Sequence, residues 1–181
     1  AARPGVECKV LSRDNETGAV TTILRYPNGF AISKDHYLNQ IEEFFVLDGS
    51  IQIGNITYNR NSYAYLPTGF QREGMGSNNG AVVLTFFEGH HRNIYGGYEK
   101  YDKSELKLHI DISNIKYSSD VDPKVVGMNL GKILLREDEQ SGERTWILRM
   151  GPSDREKSTS MPLEIHPHVE EMFLLQGEIS M

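Results

Sequence analysis

Residues 164–170 carry the clearest chemical pattern in the sequence. In an extended strand alternate side chains point to the same face, and four ligand-type residues alternate in this segment: Glu164, His166, His168 and Glu170. Imidazole and carboxylate groups together bind Fe(II), Mn(II), Ni(II) or Zn(II), and two histidines with one carboxylate can hold an iron with open positions. The segment therefore predicts a metal site formed by His166, His168 and Glu170. The alternative is a surface loop in which Pro167 interrupts the strand and both histidines face water.

The sequence contains an internal repeat made of two blocks. Residues 9–25 return as residues 132–149, and residues 41–51 return as residues 169–179. The offset grows from 123 to 128 residues between the blocks, so the connection between them is longer in the second copy. Two matching blocks in the same order predict two copies of one structural unit.

The first copy keeps only part of the ligand set. Aligned on the paired glutamates of the second block, it offers four other residues: His36, Leu38, Gln40 and Glu42. Leu38 cannot bind a metal and Gln40 binds one only weakly. His36 and Glu42 remain, either as an acid–base pair or as a structural hydrogen bond. We therefore interpret the first copy as a scaffold or a ligand pocket, and the second as the metal site.

Short strands are expected along most of the chain. Runs of β-branched and aromatic residues that end at turn residues predict three of them: Val20–Tyr26, Ser62–Leu66 and Ala81–Phe87. Apolar residues 44–47 and 51–53 flank Asp48-Gly49, a pattern typical of a β-hairpin. Because no long stretch shows a clean helical period, the chain is predicted to be all-β.

The amino-acid composition and net charge exclude several kinds of protein and binding partner. Of 181 residues, 38% are hydrophobic and 24% are charged, which is ordinary for a globular protein with a core. No apolar run approaches the ~20 residues of a membrane-spanning helix. The net charge of −6 without a basic block argues against nucleic acid and anionic membranes as partners. Cys8 is the single cysteine, which excludes an intrachain disulfide and fits a reducing compartment, so we expect a cytoplasmic protein.

The histidines and glutamates of the two repeat copies resemble the first sequence motif of the cupin superfamily. In that motif two histidines one residue apart precede a glutamate, and a glycine follows the glutamate by seven residues. Three spacings match in this chain: Glu42 with Gly49, Glu170 with Gly177, and His166 with His168. The chain resembles a two-domain cupin (a bicupin) of the group related to ChrR-like and acetylacetone-cleaving cupins.

The second copy departs from this motif in one spacing. One residue separates His168 from Glu170, where the family usually has three. Either the loop is shorter here, or His166 takes the position of the second histidine and Glu164 that of the first. Glu171 is an alternative ligand in place of Glu170.

Residues 67–72 resemble the second cupin motif, in which Pro-x-Gly is followed after two residues by the last histidine ligand. Pro67 and Gly69 match the motif, but Arg72 stands where the histidine is expected. With Leu38 and Arg72 in ligand positions, the first copy resembles a cupin that has lost its metal. Arg72 could instead pair with Glu42 or bind an anionic ligand. Four residues are assigned to a ligand pocket of the first cupin: His36, Glu42, Arg72 and Tyr65.

The resemblance implies a cupin jelly-roll β-barrel followed by the first strands of a second cupin repeat. We assign residues 1–95 to the first cupin, residues 96–124 to the connection, and residues 125–181 to the N-terminal part of the second cupin. At the offset of 128 residues, the second copy reaches only the counterpart of Ile53. An open sheet edge is prone to association, so either the chain is a fragment of a longer protein or a partner chain supplies the missing strands. We favour the fragment.

The implied function is a metal-dependent cupin enzyme, with an oxygenase acting on a small carbonyl or diketone compound as the hypothesis. The ion, which is Fe, Ni, Mn or Zn, would act as a Lewis acid for substrate oxygens. The competing hypothesis is a non-catalytic small-molecule-binding or sensor module without a metal, because cupins host many activities and the first site is degenerate. The expected partners are a small-molecule ligand and a second copy of the chain in a homodimer, with no nucleic acid and no membrane.

Overall fold

Antiparallel strands make up nearly all the regular structure in the part of the chain that the computed structural model describes, residues 3–97, 100–118, 130–151 and 169–178. The one helical element among these residues is the 3₁₀ turn Ile112–Asn114. Within the same ranges, no helix has the length and apolar character needed to cross a membrane. The prediction of an all-β fold is confirmed. The chain divides into two units, residues 1–114 (unit 1) and residues 115–181 (unit 2).

Unit 1 is built from eleven described strands: β1 (Glu7–Arg13), β2 (Val20–Tyr26), β3 (Phe30–Ile32), β4 (His36–Leu38), β5 (Glu42–Ile53), β6 (Ile56–Asn59), β7 (Ser62–Leu66), β8 (Met75–Ser77), β9 (Ala81–Phe87), β10 (Asn93–Tyr95) and β11 (Lys107–Asp111). The main path of the sheet runs β1-β2-β9-β5-β7-β11. Strands β6 and β8 join it through β5, and β3 joins it through β8. Strands β4 and β10 form a separate two-stranded pair.

The core of unit 1 follows the period-two alternation of its strands. In β2 alternate side chains are buried, and β9 pairs with β2 along its whole length. Because alternate residues of a strand share one face, this pattern places one face of each strand against the interior. Most of the buried apolar side chains form one cluster, which includes Leu24, Phe44, Val46, Tyr58 and Val83. The predicted bounds of β2, β7 and β9 agree with the structure.

The prediction of a hairpin at Asp48-Gly49 is wrong. Strand β5 runs without interruption from Glu42 to Ile53, and its pairing with β9 shifts register between Val46 and Asp48. This shift is a β-bulge with Leu47 as the extra residue. Gly49, two residues further on, takes a φ of +69°, in the left-handed region that favours glycine. The chain reverses later, where Ile53 pairs with Ile56. A glycine with a positive φ occurs in irregular strands as well as in hairpin turns. An Asp-Gly pair between apolar runs therefore fits both structures.

The bulge lets one strand serve two parts of the barrel. Before it, residues 42–45 pair with β7 on one side and β9 on the other. After it, residues 50–53 pair with β6, and the last two of them also pair with β8. A bulge bends a strand and increases its twist. The first half of β5, which carries Glu42, is therefore held between two strands.

Unit 2 contains a hairpin that repeats the β1–β2 hairpin. Strands β12 (Leu130–Glu137) and β13 (Arg144–Met150) pair antiparallel, with a register shift around Leu135 that matches the shift around Leu11. The turns also match, because the Asp14 amide donates to Ala19 and the Asp138 amide donates to Glu143, both at 2.9 Å. The first block of the sequence repeat is thus a structural repeat as well.

The register corrects the alignment of this repeat by one residue in its first strand. Sequence identity pairs Lys9 with Lys132, an offset of 123. In the structure Cys8 pairs with Leu24 and Lys132 pairs with Leu148, so both strands of the hairpin keep a constant offset of 124. A slip of one residue moves every side chain to the other face of a strand, so hydrogen-bond register decides the equivalence.

Two other segments differ from what their sequences suggest. The expected connection contains β11, which pairs antiparallel with β7 and so extends the sheet of unit 1. Residues 169–178, the sequence counterpart of the start of β5, form no strand. Strand β5 has β7 and β9 on its two sides, whereas no described strand pairs with residues 169–178.

We expect Gly49→Ala to destabilise unit 1 by roughly 2–4 kcal/mol, because it combines backbone strain with a collision. The added Cβ would lie 2.2 Å from the carbonyl oxygen of Gly80. Gly29→Ala is the matched control, since Gly29 has a φ of +74° but no atom within 4 Å of a built Cβ. The control should lose only about 1 kcal/mol in urea denaturation followed by circular dichroism. Equal losses in the two variants would contradict a close approach of Gly49 to Gly80.

Candidate functional site

Glu42 lies at the first residue of β5, between two neighbouring strands. In register it stands opposite Leu66 of β7 and Phe87 of β9. Its side chain is only 2% exposed. Burying an ionised carboxylate is costly unless opposite charges and hydrogen bonds replace the lost water. Its surroundings must therefore supply cationic donors.

Arg72 is brought beside β4 by a pair of backbone hydrogen bonds. The amide of His36 donates to the carbonyl of Arg72 at 3.1 Å, and the amide of Arg72 donates to the carbonyl of His36 at 2.8 Å. Residues that exchange both hydrogen bonds in an antiparallel bridge carry their side chains on the same face. His36 and Arg72 thus lie side by side, and neither has any exposed surface.

Two guanidinium groups bind the Glu42 carboxylate. Nη2 of Arg72 donates to Oε2 of Glu42 at 3.0 Å. Nη2 of Arg3 lies 2.6 Å from Oε1 and 2.7 Å from Oε2 of the same carboxylate. Nη1 of Arg3 also donates to the hydroxyl of Tyr26. We call Arg3, Tyr26, Glu42 and Arg72 the arginine clamp; three of these residues carry charge, with a net charge of +1.

The clamp decides the ionisation of its acidic members. Burial by itself would raise the pKa of the Glu42 carboxyl, but the charges of Arg3 and Arg72 more than offset burial and hold this pKa below the ordinary 4.5. Burial raises the pKa of the Tyr26 hydroxyl to about 12, so Tyr26 stays neutral. At neutral pH the clamp therefore contains one carboxylate between two guanidinium groups.

His36 is a neutral acceptor at the edge of the clamp. Burial lowers its pKa below 6.5, and its Nδ1 lies 3.0 Å from the carbonyl oxygen of Lys34. Because a carbonyl only accepts, Nδ1 carries the proton and Nε2 carries the lone pair. Nε2 of His36 and Nε of Arg72 are both buried without a hydrogen-bond partner. One acceptor and one donor thus remain side by side in the interior.

The sequence of the first half of the chain matches a known family model. The model of the ChrR Cupin-like domain covers residues 1–92, which is just over half of the 181 residues. The chain belongs to this cupin family. None of the curated proteins matches the chain in sequence.

Solved cupin structures resemble the fold. A candidate dioxygenase from Nostoc punctiforme PCC 73102 matches with a TM-score of 0.70 and 22% identity, over 79% of this chain and 50% of its own. This chain therefore spans half the length of that protein. An acetylacetone dioxygenase from Acinetobacter johnsonii matches with a TM-score of 0.43 and 18% identity, over 59% of this chain and 70% of its own. The anti-sigma ChrR from Rhodobacter sphaeroides matches with a TM-score of 0.39 and 18% identity, over 46% of this chain and 45% of its own.

The clamp of this cupin does not fit a metal ion. Oε2 of Glu42 already accepts hydrogen bonds from both guanidinium groups, and Oε1 lies 2.6 Å from Nη2 of Arg3. The two positive charges would repel a divalent cation. Arg72, which the motif places at a ligand position, has no lone pair to give to a metal. Among the described residues, no group of three or more histidine, cysteine, aspartate or glutamate side chains is arranged to hold a metal. Arg72 was expected either to pair with Glu42 or to bind an anionic ligand, and the structure contains the pairing with Glu42.

The structure brings together three of the four residues assigned to the first-cupin pocket. His36, Glu42 and Arg72 meet at the clamp. Tyr65 is buried in β7, but it stands opposite Glu43 rather than Glu42. Because neighbouring residues of a strand point to opposite faces, Tyr65 lies on the other face from the Glu42 side chain.

Two members of the clamp were missed by sequence reasoning. Arg3 and Tyr26 are separated from Glu42 by 39 and 16 residues, and neither belongs to a motif. Tyr26 ends a predicted strand, so its burial follows from alternation, but its partner does not. Nothing in the local sequence of Arg3 distinguishes it from an exposed N-terminal arginine.

The predicted metal site falls largely outside the described residues. His166 and His168 are not among them, and neither is Glu164. Glu170 is described and is exposed. The metal assignment therefore stays a prediction.

We expect Glu42→Gln to destabilise unit 1 by ~3–5 kcal/mol, because it leaves two buried guanidinium groups without a counter-charge. Glu7→Gln makes the same change in an exposed ion pair, where Glu7 lies 3.9 Å from Nε of Arg25. That control should change the free energy of unfolding by about 0–1 kcal/mol. Urea denaturation of both variants measures the difference, and similar small losses would show that the clamp does not stabilise the fold.

The contribution of Glu42 is expected to depend on pH. Because its pKa is lower in the folded state than the ordinary 4.5, the stabilisation is fully present above 4.5 and is lost as the pH falls through the folded-state pKa. The difference in unfolding free energy between wild type and Glu42→Gln should thus shrink between about pH 7 and about pH 3. A difference that stays constant over this range would contradict an ionised Glu42.

Proposed function

We propose that this chain belongs to a metal-dependent two-domain cupin enzyme in which the first domain binds no metal. The metal would be held by His166, His168 and Glu170 of the second copy. The repeated hairpin carries the proposal: β12 and β13 reproduce β1 and β2 with a constant offset of 124 residues. Unit 2 thus begins as unit 1 does, which supports a second barrel of the same kind.

The interior of unit 1 indicates which positions of the repeat face a barrel centre. His36, Leu38 and Glu42 have 0%, 1% and 2% exposure, so alternate positions of this segment point inward. By sequence, His166 corresponds to Leu38 and Glu170 corresponds to Glu42. The proposal gives these second-copy residues the inward positions of their first-copy counterparts. An apolar position in unit 1 would then be a ligand position in the second domain.

The two copies would have different roles. In unit 1 Arg72 and Arg3 neutralise Glu42 and take the place that a cation would have, so this barrel is a scaffold or a binding module. In the second copy a bound ion of Fe, Mn, Ni or Zn would supply a Lewis acid that polarises substrate oxygens. The resemblance of the motifs favours an oxygenase acting on a small carbonyl or diketone compound. The similarity in fold to the Nostoc candidate dioxygenase agrees with this class.

A non-catalytic binding or sensor protein is the second candidate, and the arginine clamp favours it. A carboxylate that is held by two guanidinium groups is not available as a general base or as a metal ligand. If the second copy also lacks a metal, the chain would act through ligand binding alone. The two candidates differ in metal content, which is measurable directly.

Metal content of the purified chain tests the proposal. We expect about one equivalent of Fe, Mn, Ni or Zn per chain by elemental mass spectrometry after purification without chelator. His166→Ala combined with His168→Ala should abolish it, because two of three ligands are lost. His109→Ala is the control, since His109 is an exposed histidine of β11 that donates to or accepts from Ser62.

Circular dichroism would establish that each variant keeps its strands. Metal far below one equivalent in the wild type would contradict the enzyme and favour the binding module. Metal that survives the double substitution but is lost in His36→Ala would place the site in unit 1 and overturn the proposed division of roles.

A further inference from the structure

A cationic cleft lies in unit 1 where the turn between β1 and β2 meets the loop that follows β9. Its volume is about 430 Å³, and the side chains that give it charge or hydrogen bonds are Arg13, His90, His91 and Arg92. None of the residues that line it is acidic, although the chain has a net charge of −6. We propose that this cleft binds a small anionic molecule through a carboxylate or phosphate group.

The loop that forms one wall is fixed by Asn39, the residue after β4. Oδ1 of Asn39 accepts a hydrogen bond from the backbone amide of Arg92 at 2.6 Å, and the backbone amide of Asn39 donates to the carbonyl of Arg92 at 3.3 Å. Its Nδ2 donates to the carbonyl of His90 at 3.3 Å. Three hydrogen bonds from one residue thus hold the backbone of residues 90–92. A wall ordered before binding loses little conformational entropy when a ligand arrives.

Both histidine rings of the cleft are also packed in place. The His90 ring lies so close to Gly18 that a Cβ there would be 2.8 Å from it, and Gly18 has a φ of +78°. The His91 ring stacks on Phe87, with centroids 3.6 Å apart and planes 11° from parallel. Only a glycine allows the turn to approach His90 this closely. The backbone of the loop after β9 and both histidine rings are therefore held in place, while the side chains of Arg13 and Arg92 are exposed at the cleft.

The charge of the cleft comes mainly from its two arginines. Neither guanidinium group has a hydrogen-bond or ion-pair partner within the described ranges of the chain. The neighbouring Asp14 is engaged elsewhere, since its carboxylate accepts from the Thr17 hydroxyl at 2.7 Å and from the Glu16 amide at 2.8 Å. Burial lowers the pKa of His91, so this ring acts as a neutral hydrogen-bonding group.

These groups select the chemical class of the ligand. The forked donors of guanidinium match the paired oxygens of carboxylate and phosphate groups. The volume of about 430 Å³ lies in the lower part of the range of small-molecule sites. An organic acid or a phosphorylated metabolite of modest size fits both conditions. The cleft belongs wholly to unit 1, so this inference stands or falls independently of the metal at His166 and His168.

Titration of the whole chain with inorganic phosphate and with succinate, at constant ionic strength, tests the cleft. We expect saturable binding of at least one probe by calorimetry, and the tighter probe identifies the preferred anionic group. Arg13→Gln and Arg92→Gln should each weaken that binding about tenfold or more, because each removes a charge-assisted hydrogen bond.

Arg60→Gln is the matched control. Arg60 is exposed, follows β6 and does not line the cleft, yet its substitution changes the net charge by the same amount. It should leave the affinity within about twofold of the wild type, because a remote surface charge is screened. Equal weakening by all three substitutions would mean that only net charge matters and would overturn the proposal. Absence of saturable binding to either probe, or full affinity in both cleft variants, would overturn it as well.

Discussion

The burial of one carboxylate constrains the whole of unit 1. Glu42 lies inside the barrel, where an unpaired charge would cost several kcal/mol. Arg3 and Arg72 provide its counter-charges, and each comes from a distant segment of the chain. The N-terminal segment, the start of β5 and the segment after β7 must therefore meet at one point. Tyr26 extends this network to the end of β2, so strands from different parts of the sheet share it.

The geometry of β5 makes this meeting possible. Its first half is paired on both sides, which holds the Glu42 backbone rigidly between β7 and β9. The bulge between Val46 and Asp48 then redirects the second half toward β6 and β8. A straight strand or a hairpin at this position would supply only one of these pairings. The close approach of Gly49 to Gly80 is thus part of the same constraint that places the clamp.

In our proposal the clamp distinguishes unit 1 from the metal site of the second copy. In unit 1 Arg72 forms an ion pair with Glu42, and Leu38 is a buried apolar side chain. The barrel of unit 1 keeps its interior closed, while its cationic cleft lies outside the clamp residues, at two loops. In our proposals ligand binding by unit 1 and metal chemistry by the second copy are therefore separate functions. His91 connects the two regions of unit 1, since it lines the cleft and stacks on Phe87, which pairs with Glu42.

The amino-acid pattern alone was enough to predict the all-β class, the bounds of β2, β7 and β9, and the existence of a repeat. Strands and turns can be predicted because the alternation of apolar residues and the turn residues both lie within short stretches of sequence. Strand pairing keeps Asp48 and Gly49 within β5, because a left-handed glycine suits an irregular strand as well as a turn. Only the tertiary structure decided that Tyr65 faces away from Glu42 and that Arg3 binds it, since a one-residue change of register or a contact across 39 positions leaves no local trace. Local periodicity fixes which residues form strands, whereas the pairing of distant strands fixes which charges meet.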